Sequence, residues 1–163
     1  MATAPVRKAK TARTLKQRAV AMLARREFAR AELASRLAAS GASRTEIEPL
    51  LEELAAAGLL SDARYASSLV NRKQGYSKRA IAYALREKGV AAAAASDVLA
   101  TLDAASDLAT ASALWLRRFG SPPADQREKL AQLRFLLARG FSYGVANKVV
   151  RSAGAAVDRE GDA

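Results

Sequence analysis

The chain has 163 residues, 27 basic against 16 acidic, with neither cysteine nor histidine. That excludes disulfides, thiol chemistry, the usual zinc ligand sets and any nucleophile activated by histidine. The formal charge of +11 favours polyanionic partners, nucleic acid first.

Half of the residues are hydrophobic, and many of these are alanine. Alanine forms helix well but buries little area, so leucine, isoleucine, valine and a few aromatics must supply the packing. No stretch alternates β-branched and polar residues, so the expected class is all-α. No apolar run reaches the ~20 residues of a membrane helix. The basic start, MATAPVRKAKTARTLK, lacks the apolar core of a secretory signal. A soluble, cytoplasmic chain is expected.

Residues 1–13 carry little apolar pattern and are expected to be a disordered basic tail. Leu15, Ala19, Met22 and Leu23 then form one stripe at helical spacing. A short helix over 31–39 follows, with Leu33 and Leu37 inward and Gly41 as its left-handed stop. The next helix carries Ile47, Leu50, Leu51 and Leu54 and ends at Gly58. Two capping boxes compete for its start, Ser43 with Glu46 and Thr45 with Glu48. The second is favoured because it puts Pro49 at the fourth helical position, where one bond is lost at most.

Ser61 is expected to cap a helix carrying Tyr65, Ala66, Leu69 and Val70, stopped by Gly75. Ser77 caps the next, with Ile81, Ala84 and Leu85 inward and Gly89 as its end. An alanine-rich helix is expected from Val90 to Leu102. Leu108, Ala111, Trp115 and Phe119 mark a further helix, broken by Gly120 and Ser121-Pro122-Pro123. Leu130, Leu133, Leu136 and Leu137 give a longer one ending at Gly140. Ser142 opens the last, with Val145, Val149 and Val150. Trp115, Phe119, Phe135 and Phe141 stand at core spacing. Residues 153–163 are expected to be a second disordered tail.

Gly41, Gly89 and Gly140 recur at intervals of 48 and 51 residues. Leu37, Leu85 or Leu136 stands four residues before each, and Leu50, Val98 or Val149 nine residues after. This is an internal repeat. The expected architecture is therefore three tandem three-helix, helix-turn-helix-like units over 14–58, 59–103 and 104–152. Each is small for an independent core, so an elongated, curved array of docked units is expected.

Basic residues recur in every unit. Arg25, Arg26, Arg30 and Arg36 lie in the first, and Arg72, Lys73, Lys78, Arg79, Arg86 and Lys88 in the second. The third has Arg117, Arg118, Arg127, Lys129, Arg134, Arg139, Lys148 and Arg151. Arg79, Tyr83 and Arg86 share one helix face, opposite Ile81 and Leu85. Cations beside Tyr76 and Tyr83 suit phosphate contact with stacking. The clustered Glu46, Glu48, Glu52 and Glu53 suit capping and a solvated face rather than catalysis. No catalytic, cofactor-binding or metal-ligating constellation is expected, and the chain is not expected to be an enzyme.

The run GLLSDARYASSLVNRKQGYSKRAIAYALREKGV, 58–90, resembles the central signature of the bacterial RecX family. RREFARAELASRLAASG, 25–41, and RRFGSPPADQREKLAQLRFLLARGFS, 117–142, resemble its first and third motifs. Ala29 departs from the family, which commonly has a serine cap there, and Ser77 from a frequent second glycine. The resemblance implies three tandem three-helix repeats and no cofactor. It also implies a modulator that binds the RecA–DNA filament and inhibits recombinase, ATPase and coprotease activity in DNA repair and the SOS response. Weaker direct binding to single- and double-stranded DNA is implied as well. The alternative is a plain DNA-binding protein of helix-turn-helix type. The expected RecA- and DNA-binding face comprises Arg25, Arg26, Arg72, Lys73, Tyr76, Lys78, Arg79, Tyr83, Arg86, Lys88, Arg117, Arg118, Arg134, Arg139, Lys148 and Arg151. A monomer without membrane contact is expected, on the premise that internal packing uses the apolar residues.

Overall fold

The computed structural model describes residues 14–102 and 106–160, with residues 106 and 153–160 described by their backbone alone. The expected tail over 1–13 lies outside them. The fold is all-α, with nine helices among the described residues: α1 (Leu15–Leu23), α2 (Arg30–Ala39), α3 (Arg44–Ala56), α4 (Asp62–Arg72), α5 (Lys78–Glu87), α6 (Ala92–Ala100), α7 (Ser106–Arg118), α8 (Gln126–Leu137) and α9 (Tyr143–Glu160). Helices pack chiefly within successive triplets, α1 to α3, α4 to α6 and α7 to α9. The chain divides into two compact units, residues 1–61 and 62–163.

The repeated glycines share one hydrogen-bond pattern. Gly41, Gly89 and Gly140 have φ of 92°, 65° and 83°, the left-handed region that a side chain resists. In each case the following residue turns back. Ala42 N–H donates to the Leu37 carbonyl at 3.4 Å, Val90 to Leu85 at 3.1 Å, and Phe141 to Leu136 at 3.4 Å. The three leucines are buried, so each turn ties a helix end to a core residue.

In the first unit, Leu33, Leu37, Ile47, Leu50, Leu51 and Leu54 surround Ala19, with Phe28 and Leu60 closing the cluster. Leu15, Met22 and Leu23 pack against its edge. Ala29 caps α2 without a side-chain hydrogen bond. The start of α3 differs from expectation. Ser43 is the N-cap, and the Glu46 carboxylate accepts from its backbone N–H at 2.8 Å and its hydroxyl at 2.7 Å. Pro49 therefore sits at the sixth helical position, and the Thr45 carbonyl loses its regular helical donor. Two donors converging on one carboxylate, with Arg44 and Thr45 added to the helix, offset that loss.

In the second unit, Tyr65, Ala66, Leu69, Ile81, Leu85 and Val90 are buried. Helix α6 starts two residues later than expected and ends two earlier. Val90 is used by the turn after Gly89, and Ala91 N–H donates to Asp62 Oδ2 at 2.8 Å. No α6 side chain is buried, because its alanines present little surface to pack.

The core of the last triplet joins Ala111, Leu114 and Trp115 to Leu133, Leu136, Phe141, Ala146, Val149 and Val150. Phe119 and Phe135 pack against it edge to face, with centroids 5.2 Å apart. Buried Gln132 accepts from Trp115 Nε1 at 2.8 Å, satisfying the indole. Two expected core leucines are exposed instead, Leu130 and Leu137. Gln132, Leu133 and Leu136, with Phe135 beside them, fill the α8 side of this core, so Leu130 and Leu137 face outward. The premise that internal packing uses all the apolar residues therefore fails, as exposed Leu59, Leu116 and Tyr143 also show. Helix α9 runs past residue 152 to Glu160, where alanines at 153, 155 and 156 sustain it. The expected second tail is thus helical backbone over 153–160, and residues 161–163 lie outside the described ones.

Candidate functional site

Charge is distributed unevenly. Residues 14–61 hold seven basic and six acidic side chains, whereas 62–152 hold fifteen and seven. In the first unit the cations are largely paired. Arg26 meets Glu32 at 2.7 Å, and Arg36 meets the same carboxylate at 3.4 Å. Arg30 spans Glu48 and Glu52 at 3.2 and 3.0 Å, and Lys16 pairs with Glu53. Arg26 also lies 3.7 Å above the Phe28 ring, while Arg25 is exposed. The glutamate row of α3 thus serves the capping that its sequence suggested, through Glu46, and pairs with surface cations through Glu48, Glu52 and Glu53, which the sequence did not show.

In the second unit an open cleft of about 840 Å³ lies between α5 and the turn that ends α8. Lys73, Tyr76, Arg79, Tyr83 and Arg86 line one side, with Leu137, Ala138 and Gly140 on the other. Ile81 and Leu85 point into the core, which fixes the opposite face of α5 outward. Tyr83 is 54 % exposed. Among the described residues neither Arg79 nor Arg86 has an ion-pair partner, and both are exposed.

The cleft is built from cations on aromatic rings. Lys73 Nζ lies 4.4 Å from the Tyr76 centroid, and the Arg139 guanidinium lies 5.9 Å from it. Arg139 is also 4.0 Å above Phe135, and Arg86 is 5.6 Å from the Tyr83 ring. Such contacts hold a positive charge in place while leaving its hydrogen-bond donors available. The Tyr83 hydroxyl donates to Glu87 Oε1 at 3.0 Å. That bond, with the carboxylate's charge, holds the phenol above its ordinary pKa of 10, so it stays neutral at physiological pH.

Gly140 and Ser77 form the joint that shapes the cleft. Ser77 is buried, its Oγ accepts from Ala80 N–H at 3.1 Å, and its hydroxyl donates to the Gly140 carbonyl at 2.7 Å. Ser77 N–H donates to the Arg139 carbonyl at 3.0 Å. Lys78 N–H donates to Asp107 Oδ1 at 3.0 Å, and its ammonium donates to the Leu102 carbonyl at 2.9 Å. The first turn of α5 is thereby tied to three other segments of this unit.

Of the expected binding residues, Lys73, Tyr76, Arg79, Tyr83 and Arg86 come together in the cleft, and Arg139 lies beside the Tyr76 ring without lining the cleft. Lys78 is directed to the end of α6 instead. Arg72, Lys88, Arg117, Arg118, Arg134, Lys148 and Arg151 are exposed but do not line the cleft, and Arg25 and Arg26 belong to the first unit. Sequence reasoning missed Leu137 and the Asp107 and Gly140 contacts. Ser77 followed by a basic helix was the available signal, but its partner lies 63 positions away. Among the described residues no cluster of acids could hold a metal ion, and no helix is long and apolar enough to cross a membrane.

Comparison with known proteins places these features in a family. Residues 61–99 match the model of the second three-helix domain of RecX, and 105–150 match that of the third. The chain is 45 % identical over 141 residues to Regulatory protein RecX of Leptothrix cholodnii, covering 86 % of this chain and 89 % of that one. It is 41 % identical over 150 residues to Regulatory protein RecX of Ralstonia nicotianae, covering 91 % and 93 %. The crystal structure of RecX from Lactobacillus salivarius superposes with a TM-score of 0.66 at 19 % identity, over 86 % of this chain and 95 % of that one, which shows a shared fold. With two of its three-helix units matched and relatives this similar along most of its length, the chain belongs to the RecX family of regulatory proteins.

Proposed function

We propose that the chain regulates recombination by binding the RecA–DNA filament and inhibiting its strand exchange, ATP hydrolysis and coprotease activity. It acts by binding and makes or breaks no bond, and it works in the cytoplasm. The observation that carries the reading is the cleft of Lys73, Arg79 and Arg86 beside Tyr76 and Tyr83. Its cations suit phosphates and acidic protein surface, and its rings suit stacking. The exposed Arg72, Lys88, Arg117, Arg118, Arg134, Lys148 and Arg151 and the half-buried Arg139 add to the same positive field, with Arg25 and Arg26 as a further contact from the first unit. Lys78 contributes by holding α5. A protein that prefers one filament state shifts the filament by its differential affinity for that state. Contacts to successive filament subunits become intramolecular once the first has formed, which multiplies affinity.

Titration against bare single strand, bare duplex and RecA filament at physiological salt tests the reading. Preferential filament binding supports it, and equal or weaker binding to filaments removes it. A second reading, direct DNA binding, is favoured by the 54 % exposed ring of Tyr83 beside Arg86, which offers a base a stacking face. It predicts that bare single strand competes as well as filament.

A further inference from the structure

Helix α8 presents an outward stripe that no phosphate requires. Leu130, Arg134 and Leu137 follow one another at i, i+4 and i+7, on one face. Leu130 is 47 % exposed and Leu137 39 % exposed, in the helix whose other leucines are buried. Arg134 is exposed between them and, among the described residues, has no ion-pair partner. Arg127 lies one turn before Leu130 and is also exposed. Leu137 continues the stripe into the cleft, where Ala80, Ala84 and Ala138 extend the apolar surface beside Arg79.

Resting on the filament reading above, we infer that this stripe docks an acidic amphipathic segment of the protein component of the filament, rather than its nucleic acid. Leucines two turns apart gain from burial against apolar side chains and gain nothing from a sugar–phosphate backbone. Arginines alternating with them match carboxylates placed at helical spacing on the partner. A second copy of this chain is disfavoured by charge, since it would bring the same arginines to face one another. The cleft then has two functions along one line: tyrosines and cations at its α5 wall, and a protein-facing apolar edge at its α8 wall.

The ratio of filament affinity to bare single-strand affinity tests this. The full chain and its L130S/L137S variant are titrated by fluorescence anisotropy against RecA filaments and against a labelled oligonucleotide at the same salt. The inference predicts a ratio lowered about tenfold, with unchanged far-UV circular dichroism. Should the double variant not fold, R134E, altered only at an exposed side chain, carries the same prediction. An unchanged ratio overturns the inference. Parallel loss on both ligands assigns the stripe to nucleic acid, and a wild-type dimer made monomeric by L130S/L137S assigns it to a second copy; either overturns the inference. A wild-type chain that ignores filaments overturns the functional reading itself, and this partner with it.

Discussion

The Ser77 hydroxyl donates to the Gly140 carbonyl at 2.7 Å, joining the cap of α5 to the turn after α8. A Cβ built on Gly140 would stand 2.5 Å from Ala80 Cβ and 2.8 Å from Ser77 Oγ, at φ +83°. Glycine is therefore required twice here, for its backbone angle and for the close approach.

Gly140→Ala is expected to destabilise the chain by about 2–4 kcal/mol, from left-handed strain and overpacking together. Ser77→Ala is expected to cost about 1–3 kcal/mol, through the lost cap and the carbonyl left without its donor. Urea denaturation followed by circular dichroism measures both. A Gly140→Ala change of less than about 0.5 kcal/mol would contradict the joint.

The Trp115–Gln132 pair gives a second, independent test in the last triplet. Trp115→Phe keeps most of the apolar area but leaves the buried Gln132 amide oxygen without its indole donor. A loss of about 1–3 kcal/mol is expected. Filament affinity should hold, because Trp115 is buried away from the cleft. A fall in affinity without a fall in stability would show that α7 contributes directly.

The acid side of the stability profile should register Glu46. The hydroxyl and the backbone N–H of Ser43 hold its carboxyl below the ordinary value of 4.5, assisted by the charge of Arg18. A depressed folded-state pKa stabilises the fold above the unfolded value, and that contribution is lost as pH falls through the folded one. Helix α3 should thus fray only below the ordinary carboxylate range. Ser43→Ala should move the Glu46 midpoint upward in a carboxyl-detected NMR titration. An unmoved midpoint would mean that Ser43 is not the cause.

The helix ends were legible in the sequence because glycine chemistry is local. A residue that must take positive φ is written at the position itself, as at Gly41, Gly89 and Gly140. The choice between Ser43 and Thr45 was not legible, since both offer the same spacing to a glutamate, and the cost of Pro49 pointed the wrong way. The exposure of Leu130 and Leu137 was also hidden. Four leucines between 130 and 137 span more than one helix face, and the angle at which α8 crosses its neighbours selects which pair is buried. The α5 wall of the cleft followed from periodicity, with Arg79, Tyr83 and Arg86 opposite Ile81 and Leu85. Its other wall did not, because the Ser77–Gly140 contact links residues far apart in the chain.

Binding should weaken steeply as salt rises. The log of the affinity should fall with the log of salt by about 0.7–0.9 per phosphate neutralised. Reversing Arg79 and Arg86 to glutamate should flatten that slope while far-UV circular dichroism stays unchanged, because both side chains are exposed. A salt-independent affinity would remove the cleft's electrostatic role.

The DNA-dependent ATP hydrolysis of RecA, followed against rising concentrations of the chain and of its R79E/R86E variant, tests the central claim most directly. The wild-type chain should suppress hydrolysis, and the variant should need at least about tenfold more protein for the same effect, a loss of ~1.4 kcal/mol in apparent binding. Hydrolysis that continues undiminished with the wild-type chain, or a variant as potent as the wild type, would contradict it.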